Sequence, residues 1–225
     1  MERIAWSGGS LGPLLTRAER LLGSGSRAVL GIAGAPASGK STLADVLVAE
    51  LQRRHPDEVI LVGMDAFHIG HRVLVHHGLE NVKGAPHTFD ALGYAALLQR
   101  LRDPADTVYA PEFRREIEDS LAQNVEVTPG VRLVVTEGNY LLLPRPPWDR
   151  VRALLDEAWF VHLDDTERRR RMIARHRSYG HPIAVAIART DGNDAANARL
   201  VDAEQNDPDL WIEHVTPKSM STNNS

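Results

Sequence analysis

Gly34-Ala-Pro-Ala-Ser-Gly39-Lys40-Ser41 decides the reading of this chain, because it matches the pattern G-x-x-x-x-G-K-[ST] and stands between a strand-like and a helix-like run. Ahead of it, Ala28-Val-Leu-Gly-Ile-Ala33 is a short apolar stretch bounded by turn signals, as expected of a buried parallel strand. Behind it, Leu43, Val46, Leu47 and Leu51 recur at helical spacing through Arg54. The residue types suit an anion. Glycines without Cβ let successive backbone N–H groups turn toward one phosphate, and the helix start adds the positive end of its dipole. Lys40 would place a point charge on the β/γ-phosphates, and the Ser41 hydroxyl would fill one position on an octahedral Mg²⁺. The implied nucleotide cradle is Gly34, Ala35, Pro36, Ala37, Ser38, Gly39, Lys40, Ser41 and Thr42. Such a loop implies a nucleotide without naming a reaction.

Outward from the loop, strands and helices alternate. The pattern predicts a helix at 11–22 followed by a Gly23-Ser-Gly-Ser26 joint, and a strand from Val59 to Met64 ending at Asp65. A His-rich stretch without period then covers 67–88, and a helix spans 91–102. Extended chain or a hairpin follows at 107–128, then a strand at 131–135 leading into Thr136-Glu137-Gly138. A helix near 149–157, a strand at 158–163, an Arg-rich helix at 165–177, further helical segments and a strand at 210–215 complete the series. Alternation of this kind implies parallel βαβ units, hence an α/β fold with a doubly wound, mostly parallel sheet and helices on both faces. Ligands of such sheets bind at the carboxyl ends of the strands, which points to the loop, Asp65, Glu137 and Asp164. Residues 1–27 read as a helix and joint, 28–216 as the catalytic domain, and 217–225 as a polar, disordered tail.

Composition narrows the classes. The 225 residues carry 26 Lys+Arg against 30 Asp+Glu, a net charge of −4, with 43% hydrophobic residues, which excludes collagen-like, coiled-coil and wholly disordered chains. There is no cysteine, so disulfides, Cys-based zinc sites, iron–sulfur clusters and thiol nucleophiles are excluded, and a cytoplasmic location is the expectation. The negative balance argues against nucleic-acid binding, and no apolar stretch approaches the ~18 residues of a membrane span. A guanine-reading N-K-x-D is missing, and Asp90-Ala-Leu-Gly93, which spells D-x-x-G, follows no apolar strand and reads as the N-cap of helix 91–102. Glu137 stands one place later than the acid at the end of an ATPase motor's strand, which favours a kinase.

Together with the loop, Met64-Asp65-Ala66-Phe67-His68, Lys83-Gly84-Ala85-Pro86-His87-Thr88-Phe89-Asp90, Pro111-Glu-Phe-Arg-Arg115 and Glu137-Gly138-Asn139-Tyr140 resemble, in order, the uridine kinase/phosphoribulokinase superfamily of P-loop kinases. The likeness spans roughly 28–215 and leans toward the pantothenate-kinase-like and fructose-transport-kinase-like branch. It departs on the acceptor side, with Arg114 where the branch often has Asp and Val82 where it has a basic residue. The resemblance implies the P-loop nucleoside triphosphate hydrolase fold of kinase type with a helical lid near 165–180. It implies ATP and Mg²⁺, with Asp65 as the carboxylate that accepts or orients the acceptor hydroxyl's proton and Glu137, with Ser41, holding the metal. An acid at the end of a strand predicted beside the loop agrees with that role for Asp65.

The same resemblance makes Arg168–Arg171, Arg175 and Arg177 lid residues, with Arg169 and Arg175 the expected phosphate contacts; a solvated helix favoured by its own dipole is the alternative. The expected acceptor-binding set is His68, Lys83, Arg115, Glu137 and Tyr140, with His71, His87, Asp90, Glu112 and Arg114 along the same wall. The histidines lack the paired carboxylate or H-E-x-x-H of a zinc site. The expected partner is a small molecule bearing a hydroxyl, first a sugar or nucleoside, next an acid of pantothenate or glycerate type, with no nucleic acid or membrane and with room for a homodimer. A nucleotide-dependent regulatory ATPase is the rival of another class.

Overall fold

The apolar run Ala28–Ala33 forms strand β2 and is buried from end to end. Its side chains divide between two core layers, Leu30 and Ile32 on one face and Val29 and Ala33 on the other. The same period of two separates Leu133 and Val135 from Val134 in β6 (Leu133–Gly138), and Trp159 and Val161 from Ala158 and Phe160 in β7 (Glu157–His162). A sheet that is apolar on both faces must be covered on both. Burial of each such side chain contributes ~1.5–3 kcal/mol, so the two layers rather than the ladder hydrogen bonds decide where the helices lie.

The computed structural model describes residues 1–215. Strand β1 (Glu2–Trp6) and helix α1 (Gly12–Leu22) precede β2, and α2 (Lys40–Arg54) follows it. Next come β3 (Val59–Leu61), a 3₁₀ turn at Met64–Phe67, α3 (His71–His76), α4 (Ala91–Leu101), and the antiparallel hairpin β4 (Val108–Arg114) and β5 (Asp119–Val127). After β6 and β7 the chain forms α5 (Asp165–Ser178), α6 (Ile183–Arg189), α7 (Ala195–Glu204) and β8 (Leu210–His214). The main sheet has the order β1-β8-β7-β2-β6-β3, and its strand pairs are parallel. Leu14 of α1 and Leu43 of α2 close one layer, and Tyr94 of α4 and Val201 of α7 the other. The fold is therefore the expected doubly wound α/β architecture. Among the described residues, no helix is long and apolar enough to cross a membrane.

Several local expectations need correction. Residues 1–27 hold a strand besides the expected helix and joint. Glu2–Trp6 is mostly exposed, so only its pairing with β8 defines it. Beyond Pro144 and Pro147, no helix occupies 149–157: two 3₁₀ turns, Trp148–Arg150 and Arg152–Leu154, fill the space before Glu157 enters β7 opposite Leu30. The strand expected at 131–135 runs to Gly138, because Ile32 and Ala33 pair with Glu137 and Gly138. Strand β3 ends at Leu61, and it is β6 rather than β3 that lies beside β2. The tail expected at 217–225 lies outside the described residues.

Candidate active site

The turn after β2 passes through two left-handed residues, Ala37 (φ +64°) and Gly39 (φ +99°), and delivers Lys40 as the first residue of α2. Lys40 is buried, and its Nζ lies 4.0 Å from Glu137 Oε2 at the end of β6. Burial lowers the lysine's pKa and raises the carboxylate's, each opposed by the charge of the other. Ser41 Oγ donates to the same Glu137 oxygen at 3.1 Å. Two hard oxygens side by side, next to a loop shaped for an anion, fit the donor set of Mg²⁺, which keeps waters and phosphate oxygens as its other ligands. Among the described residues, no three of His, Asp and Glu gather as a metal site, so a cation here would draw its other ligands from the nucleotide and water.

A cleft of about 550 Å³ opens at this end of the sheet, and Pro36, Lys40 and Ser41 line it together with Asp65. Asp65 sits in the 3₁₀ turn after β3, with Arg115 of the β4–β5 hairpin 3.7 Å from its Oδ2. The turn is held close to β6 because Gly138 has no side chain: a Cβ there would meet Met64 Cβ at 2.5 Å. His68 forms part of the same wall. Its Nδ1 hydrogen-bonds the Asp65 carbonyl at 2.8 Å, and its ring packs on Phe89 (centroids 4.0 Å apart) and Phe113 (5.2 Å). Burial lowers its pKa, against the pull of Asp65. Lys83 completes that side, donating to the Glu118 carbonyl at 2.8 Å.

The structure brings together Lys40, Ser41, Asp65, His68, Lys83, Arg115 and Arg175 around one cleft, with Glu137 behind Ser41. It does not bring Tyr140 there. Tyr140 is wholly buried against Phe89 and Trp148, and its hydroxyl donates to the Gly84 carbonyl at 2.6 Å, so it supports the Lys83-Gly84 turn from beneath. Arg169 is also displaced: Asp191 binds its guanidinium through two hydrogen bonds, at 2.7 and 2.8 Å, on the exposed side of α5. Arg169 and Arg175 are six residues apart, about 240° around a helix, and cannot share a face. Arg175 donates to the Tyr179 hydroxyl at 3.0 Å and lines the cleft, while Arg168 and Arg170 are paired with Asp165 and Glu167.

The expected wall of polar residues is also thinner than the sequence suggests. His71 and His87 are exposed, Asp90 caps α4 by accepting from Gly93 N, and Glu112 and Arg114 point outward where Phe113 points in. Sequence reasoning missed the other side of the cleft. His176 of α5 pairs with Asp194 (Nε2 to Oδ2 2.6 Å), and Arg189 and Asn197 stand nearby in the lining. The i, i+3 spacing of Asp194 and Asn197 at the start of α7 was the available signal.

No protein-family model matches the chain. A Schizosaccharomyces pombe protein named "Putative uridine kinase C227.14" is 33% identical over 217 residues, covering 93% of this chain and 92% of its own length. YggC of Escherichia coli, an uncharacterised protein, is 34% identical over 173 residues, 74% of this chain and 70% of that one. A crystal structure from Silicibacter sp. TM1040, described as a "putative fructose transport system kinase", superposes with a TM-score of 0.81 at 35% identity, covering 90% of this chain and 98% of that one.

Proposed function

Because the chain belongs to the uridine kinase/phosphoribulokinase family of P-loop kinases, we propose that it transfers the γ-phosphoryl group of ATP to a hydroxyl of a small metabolite. The observation that carries this reading is the convergence of Lys40 and Ser41 with Asp65 on one cleft. Lys40 and the loop N–H groups bind the triphosphate, and Asp65 accepts or orients the proton of the acceptor hydroxyl. Arg175 faces the charge that spreads over the transferring group, and Ser41 and Glu137 would hold Mg²⁺, which would supply neutralisation of part of that charge.

The acceptor is a sugar or nucleoside phosphorylated on a primary hydroxyl. His68, Lys83, Asp194 and Asn197 offer hydrogen bonds around the cleft, and a hydroxyl-rich molecule pairs them where a hydrocarbon would leave them unsatisfied at ~1–3 kcal/mol each. A second reading, an acid of pantothenate or glycerate type, is favoured by Arg189, which brings a guanidinium to the lining of the cleft. ADP release measured against a panel of sugars, nucleosides, pantothenate and glycerate tests both. Stimulation by a sugar or nucleoside, with its deoxy analogue a competitive inhibitor, supports the first reading; stimulation by the acids alone supports the second. A response only to a macromolecule would replace the kinase with a regulatory ATPase. Asp65→Asn should keep ATP affinity by calorimetry and lose most phosphoryl transfer; loss of both would assign Asp65 to the metal or to the fold.

A further inference from the structure

His214 ends β8 outside the cleft, and the proposed reaction has no step for it. It is nevertheless 9% exposed and turned toward the phosphate loop. Its Nδ1 lies 2.7 Å from the carbonyl oxygen of Ser38, and a Cβ placed on Gly39 would come within 2.4 Å of that nitrogen. Trp6 of β1 backs the ring, with centroids 4.8 Å apart. A carbonyl oxygen at this distance requires a proton on Nδ1, since a bare nitrogen lone pair would repel it; Nδ1–H therefore donates to Ser38. Arg171 Nη1 stands 3.4 Å from Nδ1, and its Nε is held by Glu167 at 2.8 Å.

The loop so gripped contains one residue in a conformation that it does not prefer. Gly39 takes its left-handed φ at the entry to α2 without a Cβ penalty, whereas Ala37, left-handed without being glycine, is the strained residue. Conformations of this kind persist only where the surroundings hold them. Within the loop, Ser38 N bonds to the Ala35 carbonyl at 3.1 Å, which closes the turn without fixing it to the sheet. His214 supplies a tie from the sheet.

We propose that His214 is a positioning residue of the nucleotide site: its Nδ1–H holds the Ser38 carbonyl and its ring fills the space in front of Gly39, so that the loop is preset for a triphosphate. This rests on reading the loop as an ATP site. When the competent loop conformation is populated only in part, apparent affinity falls by that fraction, while the bound state, once reached, is unchanged. The loss therefore falls on KM for ATP rather than on kcat.

The test is calorimetric titration of the nonhydrolysable analogue adenylyl imidodiphosphate, with Mg²⁺, into wild type and His214→Leu, His214→Asn and His214→Gln, each checked by thermal melting. His214→Leu should bind about tenfold more weakly, as expected if one loop in ten remains competent. His214→Asn, whose amide nitrogen takes the place of Nδ1, should stay within about twofold of wild type, and His214→Gln, whose amide reaches the Nε2 position, should follow the leucine variant. If His214→Leu does not fold, the contrast between Asn and Gln carries the test. Binding by His214→Leu as tight as wild type, or by His214→Asn as weak as His214→Gln, would overturn the proposal. Failure of the wild type itself to bind would remove the ATP-site reading, and this inference with it.

Discussion

Gly138→Ala adds one methyl group between β6 and the turn that carries Asp65. An ideal Cβ at Gly138 lies 2.5 Å from Met64 Cβ and 2.6 Å from both Met64 Sδ and Leu141 Cδ1. Carbon atoms pack at ~3.5–4.0 Å, so the gap must open by about 1 Å. Met64 is wholly buried, and its Cβ is bonded to the main chain, so no change of rotamer relieves the contact. The 3₁₀ turn Met64–Phe67 has to move, and Asp65 moves with it. Overpacking of this kind costs ~1–3 kcal/mol of stability, and a misplacement of about 1 Å at a reacting group costs on the order of 10²-fold in rate. We expect Gly138→Ala to lower kcat/KM about 10²-fold, or ~2.7 kcal/mol, while ATP affinity changes by less than about threefold. Gly63→Ala is the matched control. It stands immediately before Met64 at φ −80°, and its Cβ would meet only Glu137 Oε1, at 3.7 Å, so it should leave stability within ~0.5 kcal/mol and turnover near wild type. Urea denaturation, calorimetry with ATP and ADP release with the acceptor found by screening provide the readouts. Normal turnover in a folded Gly138→Ala variant, or equal damage from Gly63→Ala, would refute the argument that Gly138 sets the position of Asp65.

Lys40→Ala should lower kcat/KM by at least about 10²-fold, and unchanged turnover in a folded variant would remove the nucleotide site from this loop. Arg175→Ala should lower phosphoryl transfer by a similar factor of about 10², whereas Arg169→Ala, which loses only its exposed pairing with Asp191, should turn over within about twofold of wild type; the reverse order in steady-state kinetics would return Arg169 to the site. Burial lowers the pKa of His68 and of His214, so below the ordinary value of ~6.5 the unfolded chain takes up protons that the folded chain refuses. Stability should therefore decline as pH falls from about 7 toward 5, and less steeply in His214→Asn than in wild type when urea midpoints are compared; equal slopes would show that His214 titrates alike in both states.

What the sequence made legible was what local pattern encodes. Buried runs such as Ala28–Ala33, the glycine turn, the spacing of Leu43, Leu47 and Leu51, and the alternation through Val108–Val127 each point to their element without help from afar. Strand order is another matter. Nothing in Val59–Leu61 says that β6 will lie between it and β2, so Glu137 rather than Asp65 became the neighbour of the loop. Tyr140 reads as a site residue because it belongs to the Glu137–Tyr140 stretch that carries the resemblance, but its ring meets Phe89 and Trp148 across long sequence gaps, and those contacts decide its place. For Arg169 the sequence did hold the answer: helical geometry sets it apart from Arg168, Arg171 and Arg175, and that spacing outweighs the fact of belonging to an arginine run.

The pairing of Glu2 with Leu210 makes the first strand wait for the last. Glu2–Trp6 precedes its hydrogen-bonding partner in the chain, with α5, α6 and α7 between them, so the strand cannot pair until Leu210–His214 has been synthesised. Ser38 waits in the same way, since the imidazole that grips its carbonyl arrives with residue 214. Contacts so far apart in sequence cost more closure entropy than those of the local helices. A nascent chain thus has its phosphate loop in sequence long before it has it in shape. On the proposed reading of the loop, nucleotide would bind molecules in which His214 is in place in preference to those in which it is not, and by mass action it would stabilise the seating of β8 against the loop.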